Sequence, residues 1–307
     1  MGYSEVPDQT SFCKTIMTRR QKSFSIVNIK VGRMPFKAAI GGMQLSAPDM
    51  NSQWWASYEE PSEDDIEKFK DFVTTYKVGD IKVHDANMLQ NKSDKIRILV
   101  VGERGNGKSS FIKTLLWLCG NSNEATFINT SSLKLLTDTS VLKYHRLAET
   151  TISNLFICDT PGFQKNDDMP YLVNRFVNGY IREGEYKCSL FARIRDKMDA
   201  VIFITMPPLT PVDGDKYVLD QPAFVEFKKR KRELERKLGD RPFFFVVTAV
   251  DRLEKVSEKE RNEILGAFEG CVFVVGTKTE RFKPSVYAYQ QLVKAILGRI
   301  EEYRLKN

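Results

Sequence analysis

From residue 95 onward the chain alternates short, almost wholly apolar runs with longer stretches in which apolar residues recur every three or four positions. The short runs predict strands over 95–101, 140–148, 152–158, 198–206, 241–249 and 271–276, and the longer stretches predict helices over 108–119, 169–183, 221–238, 257–269 and 283–304. Runs that are apolar on every residue suit strands buried on both faces, so the alternation predicts a three-layer α/β fold with a mostly parallel sheet between helices. Only a few residues separate 140–148 from 152–158. No crossover helix fits in that gap, so the pair is predicted to be an antiparallel hairpin that adds one antiparallel edge strand.

The amino-terminal third follows a different rhythm. Residues 1–60 show little periodicity and read as an extension, ordered in part at best. From Pro61 the pattern PSEDDIEKFKDFVTTYKV supplies a capping Ser62, acids in the first turn, and Ile66, Phe69, Phe72, Val73 and Tyr76 at helical spacing. Residues 61–94 are therefore read as an amphipathic helix and linker whose aromatic stripe packs on the main domain, residues 95–307.

The chemistry begins where the first of these strands ends. KIRILVV runs into Gly102-Glu103-Arg104-Gly105-Asn106-Gly107-Lys108-Ser109, and SFIKTLLWLC follows as a helix, which is G-x-x-x-x-G-K-S in its strand–loop–helix setting. Glycines let backbone N–H groups turn in around phosphate oxygens, and the helix start adds its positive dipole end. Lys108 would reach the β- and γ-phosphates, and the Ser109 hydroxyl would ligate Mg²⁺, with Ser110 completing the phosphate-binding turn. Arg104 is read as a cis charge stabiliser or as an exposed loop arginine.

Fifty-one residues beyond Lys108, SNLFIC ends in Asp159-Thr160-Pro161-Gly162. A carboxylate at the tip of a buried strand needs a partner, and Mg²⁺ beside a triphosphate supplies one. Gly162 is assigned to the γ-phosphate through its N–H. RPFFFVV then ends in Thr248-Ala249-Val250-Asp251, where guanine-nucleotide proteins carry [N/T]-K-x-D. Asp251 would accept from the guanine N1–H and 2-amino group, or would cap the next helix. Thr248 fits and Ala249 does not, because the usual lysine lays its stem over the base. Guanine preference and an unspecific NTPase therefore both stay open. After CVFVV, Thr277 and Lys278 stand where a base loop would reach guanine O6 and shield the ring. Thr137 or Thr139 is the switch threonine candidate for Mg²⁺.

After Gly162 comes Phe163, which cannot orient water, and then Gln164, which joins Lys108 as a candidate catalytic residue. Hydrolysis is expected to be slow, since positioning and charge neutralisation supply nearly all catalysis of phosphoryl transfer. A rival reading is a nucleotide-stabilised scaffold. Dimerisation through the nucleotide face would let a second copy supply the missing group.

Composition adjusts this picture only slightly. The 307 residues carry a formal charge of +7, and residues 1–94, with 12 basic and 13 acidic groups, contribute none of the excess. An excess this small marks no nucleic-acid binder. Lys228-Lys229-Arg230-Lys231-Arg232 invites a nuclear-import or anionic-surface reading, but it lies in a helix with Phe224, Phe227, Leu234 and Leu238 at core spacing and is read first as a solvated face. The five cysteines show no metal spacing, and Cys119, Cys158 and Cys271 read as small buried hydrophobes. No apolar run spans a membrane, no secretory h-region follows the initiator, and Val6 spoils a myristoylation signal, so a cytoplasmic protein is expected.

The order GERGNGKSSF, CDTPG, DDMPYLVNRFVNGYI, RIRDKMDAVIFI, FFVVTAVD and CVFVVGT resembles the interferon-induced protein 44 family over roughly residues 95–304. The resemblance implies a cytoplasmic guanine-nucleotide-binding domain of the P-loop GTPase type, associated with innate-immune or antiviral responses, in which the fourth motif also tends to lack its lysine. The first 60 residues stand outside it.

Overall fold

The computed structural model describes residues 27–31, 34–38, 56–57, 61–81, 89, 95–126, 128, 141–148, 154–164, 167–185, 191–193, 196–212, 216–267, 272–277 and 283–307. In the amino-terminal part, β1 (Val27–Val31) and β2 (Met34–Ala38) form an antiparallel pair, and β3 (Ala56–Ser57) follows. Helix α1 (Glu63–Thr75) starts as its sequence predicts: the Ser62 hydroxyl accepts from the Asp65 N–H, and three acids fill the first turn, where they complement the helix dipole.

Beyond the linker come β4 (Ile96–Val101), α2 (Lys108–Leu118), α3 (Ser122–Thr126), β5 (Lys143–Arg146), β6 (Leu155–Asp159) and α4 (Met169–Val177). They are followed by β7 (Ala200–Thr205), the hairpin strands β8 (Leu209–Pro211) and β9 (Tyr217–Leu219), and α5 (Gln221–Leu238). The chain closes with β10 (Phe243–Val247), α6 (Val250–Leu253), α7 (Glu258–Gly266), β11 (Val272–Val274), β12 (Lys283–Pro284) and α8 (Val286–Lys306).

Six strands form the central sheet in the order β11-β10-β7-β4-β6-β5. Every neighbouring pair is parallel except β5 with β6, so the expected three-layer fold with one antiparallel edge strand is present. Side chains alternate across the sheet. Ile96, Ile98 and Val100 of β4 join a core with Phe69 and Val73 of α1, Phe111 and Leu115 of α2, and Leu292 and Ile296 of α8. Leu99 and Val101 face the other core, with Val173 and Phe176 of α4, Phe224 and Leu234 of α5, and Ile264 of α7. Both faces are covered, which is why these strands read as unbroken apolar runs.

Several boundaries differ from the sequence expectation. Helix α4 was expected to reach 183 but ends at Val177, because Gly179 turns left-handed (φ 75°) and its backbone passes so close to Arg193 that an added Cβ would sit 2.4 Å from the Arg193 carbonyl oxygen. Helix α8 begins at Val286 rather than 283, since Lys283 and Pro284 pair antiparallel with Ser57 and Ala56. The β8–β9 hairpin was not expected.

The stripe on α1 packs as predicted, and a buried carboxylate secures the segment behind it. Glu301 of α8, with no exposed surface, accepts from the Tyr76 hydroxyl at 2.7 Å and from the N–H groups of Gly79 at 2.9 Å and Ile81 at 3.4 Å. Glu301→Ala strands three donors, so chemical denaturation should show a loss of about 3–5 kcal/mol, with Glu301→Gln losing less because its amide oxygen still accepts. A loss below ~1 kcal/mol would refute the anchoring role.

Candidate phosphate-binding site

The carboxyl ends of β4, β6, β7 and β10 open on the same edge of the sheet, the usual place for ligands in parallel α/β folds. At the end of β4 the backbone must turn beside its neighbour. Gly102 has φ 152°, and a Cβ there would lie 2.3 Å from the Ile204 carbonyl oxygen, so no side chain fits. Gly105 and Gly107 are both left-handed (φ 84°). Gly107 also precedes α2 without offering a side-chain cap, which leaves the first N–H groups of an 11-residue helix to be satisfied otherwise.

Lys108, only 7% exposed, opens that helix. Its ammonium donates to the Glu103 carbonyl at 3.1 Å, across the mouth of the loop. A cation at a helix start opposes the dipole, and an anion beside both would relieve that opposition. The Ser109 hydroxyl donates to the Asp159 carboxylate at 3.2 Å, and Asp159 is 2% exposed. Buried Thr160 donates to the Val100 carbonyl at 2.8 Å and locks the DTPG turn against β4.

Gly162 closes this cluster. A Cβ on it would come 2.7 Å from Arg104 Cα and 3.0 Å from the Lys108 ammonium, so the turn passes directly over the loop. Phe163 then bridges to the loop as a short parallel ladder: its N–H donates to the Gly102 carbonyl at 3.2 Å, and its carbonyl accepts from the Arg104 N–H at 3.0 Å. Its ring is buried with Met169, Val173 and Phe176. Gln164 is exposed, and its N–H is taken by Asp167.

The fourth motif reaches the loop from the other side. Thr248, 3% exposed, donates from its hydroxyl to the Asn106 carbonyl at 2.9 Å. Ala249 is left-handed (φ 55°), the one non-glycine residue with positive φ among the described residues. The helix-capping alternative for Asp251 does not hold, since the cap position belongs to Ala249 and Asp251 lies exposed within the first turn of α6. Thr277 is half-buried after β11, and the preceding Gly276 carbonyl accepts from the Tyr289 hydroxyl at 3.2 Å. Thr137, Thr139 and Lys278 lie outside the described residues.

The structure thus gathers Gly102, Asn106, Gly107, Lys108, Ser109, Asp159, Gly162 and Thr248 at one corner, with Arg104 exposed on its rim and Ser110 half-buried in the first turn of α2. Sequence reasoning missed two supports. Arg230, from the basic run of α5, pairs with Glu103 of the loop. Tyr289, fully buried, stacks on Phe111 of α2 with ring centroids 5.5 Å apart. No local signal marked either, because the partners lie more than a hundred residues apart. Among the described residues no group of three or more His, Cys, Asp or Glu side chains could hold a metal, and no helix is long and apolar enough to cross a membrane. Cys119 and Cys158 are buried, and burial pushes both thiols up, away from reactivity.

No protein-family model matches the chain, and no curated protein matches it in sequence. Among solved structures it is similar to Toc33 from Arabidopsis thaliana in complex with Mg²⁺ and GMPPNP, at 14% identity and a TM-score of 0.41, over 78% of this chain and 92% of that one. The same protein with GDP and Mg²⁺ is similar at 16% identity and 0.39, over 82% and 96%. A probable GTP-binding protein engB is similar at 15% and 0.35, over 67% and 99%. Likenesses this loose assign the chain no ligand, and the chemistry of the corner rests on its own geometry.

Proposed function

We propose that the chain binds a guanine nucleotide with Mg²⁺ at this corner and hydrolyses GTP slowly. The observation that carries the reading is the Ser109–Asp159 contact beside the Lys108 ammonium, at the start of a helix with no side-chain cap. A hydroxyl and a carboxylate, both hard oxygen donors, face each other there, which suits Mg²⁺. Ser109 and Asp159 would hold the ion, which supplies positive charge against the phosphates. Lys108 would grip the β- and γ-phosphates, the N–H groups after Gly105 and Gly107 would line their oxygens, and Gly162 would meet the γ-phosphate. Asp251 would accept from the base, with Thr248 bracing the loop through Asn106. Thr277 and Lys278 would complete the base side, and Thr137 or Thr139 would be the switch threonine. The innate-immune role that the family resemblance implies belongs to the same proposal, as does pairing of two copies across this face.

Titration with GTP, GDP and ATP, each with and without Mg²⁺, tests the reading: GTP and GDP should bind more tightly than ATP, and Mg²⁺ should strengthen the triphosphate. Asp251→Asn should cost at least about 100-fold in GTP affinity and erase any preference over ATP, because two hydrogen bonds to a charged acceptor are worth about 1.5–3 kcal/mol each. Equal affinity of the variant for GTP would refute the base assignment.

A second reading, a nucleotide-stabilised scaffold without meaningful turnover, is favoured by Phe163, whose ring is buried and whose backbone is bound to the loop at the position from which water would be oriented. Single-turnover hydrolysis no faster than that of free GTP decides for the scaffold.

A further inference from the structure

The basic run of α5 divides into two sets that face opposite ways. Arg230 and Lys231 are drawn inward: Arg230 pairs with Glu103 and with Glu226, and Lys231, 8% exposed, pairs with Glu235 at 2.7 Å. These contacts consume two of the helix's acids. At 100° per residue, Lys228, Lys229, Arg232 and Arg236 lie within about a quarter turn of each other, directly opposite buried Leu234. Lys229, Arg232 and Arg236 are exposed and make no ion pair among the described residues, while the Lys228 ammonium sits 4.3 Å from the Phe224 ring. Glu233 is the one acid lining the concavity they form, with Glu226 and Glu235, already paired with Arg230 and Lys231, at the edges of the stripe. Together with exposed Val225 these side chains surround a shallow concavity of about 530 Å³, ample for a small phosphorylated group.

We propose that this outer face of α5 is a peripheral docking site for an anionic membrane, recognising phosphorylated inositol headgroups. Four cations on one straight stripe address a plane rather than wrap a soluble ligand, and a cluster of this size on a helix face is the pattern that attracts anionic leaflets. Val225, 59% exposed at one end of the stripe, adds the apolar contact that an interfacial helix makes. The stripe carries no aromatic side chain on which a nucleic-acid base could stack.

Co-sedimentation of the full chain with phosphatidylcholine vesicles, with and without phosphatidylinositol bisphosphate, at about 0.15 M salt tests the proposal. Partitioning should rise at least about tenfold with the phosphorylated lipid, fall by at least about tenfold, back to the phosphatidylcholine level, in a Lys229→Gln, Arg232→Gln, Arg236→Gln variant, and persist in Lys108→Ala. All three substituted positions are exposed, and an unchanged thermal midpoint confirms that the variant folds. Equal binding to both vesicle types overturns the proposal, as does loss of binding in Lys108→Ala, which would place the phosphate at the loop instead. Free inositol trisphosphate binding as tightly as the vesicles, or an oligonucleotide binding more tightly, would overturn the membrane as the partner.

Discussion

Lys108→Ala should abolish nucleotide binding, by at least about 1,000-fold in calorimetry, while moving the stability of the ligand-free protein by less than about 1 kcal/mol. The two effects separate because the dipole opposition at the ammonium offsets the contacts it makes in the ligand-free protein. The ammonium stands at the first position of α2, against the positive end of the helix dipole, and is held within the loop by the Glu103 carbonyl at 3.1 Å. Removing it forfeits buried stem contacts and relieves that repulsion, and alanine suits a helix start as well as lysine does. In the complex the balance reverses, since the charge would meet two phosphates in a site where few water molecules compete. An affinity unchanged within about threefold would place the phosphates elsewhere; a large drop in stability without ligand would make Lys108 a structural residue.

Gly102→Ala should be the most damaging of single-methyl changes at the site, costing about 4 kcal/mol and lowering the thermal midpoint by roughly 10 °C. Its added carbon would come 2.3 Å from the Ile204 carbonyl oxygen, a backbone atom of a strand paired on both sides, so neither partner can withdraw without breaking the β4–β7 ladder. The left-handed φ of 152° adds strain for any side chain. Gly105→Ala makes the useful control, because nothing lies within 4 Å of its added carbon and only the φ penalty remains, about 1 kcal/mol. If the two variants melt within about 2 °C of each other, close approach is not what requires Gly102.

Much of this architecture was legible because the information was local. Apolar runs located the strands within a few residues, the capping Ser62 and the acids after it marked α1, and G-x-x-x-x-G-K-S between strand and helix announced the loop. The short connection between 140–148 and 152–158 foretold the antiparallel edge. Where periodicity ran on past a tertiary constraint, the reading overshot: α4 continues on paper through Ile181, yet Gly179 must turn away beneath Arg193. In the basic helix all five cations looked alike; Lys231 meets Glu235 one turn along the same helix, but only the fold turned Arg230 toward Glu103 and buried Lys231.

Residue types and their spacing alone determined that a glycine-rich turn would join a strand to a helix, and that a carboxylate would end a second buried strand. Whether those pieces meet was a matter of three dimensions. Parallel pairing of β4 with β6, in a register that sets Val100 against Asp159, brings the Asp159 carboxylate to the Ser109 hydroxyl and lays Gly162 over Lys108. Thr248 reaches Asn106 only because β10 lies two strands away with its end at the same edge. Hydrogen bonds between residues 50 to 142 positions apart are decided by strand order and register, which no local pattern encodes.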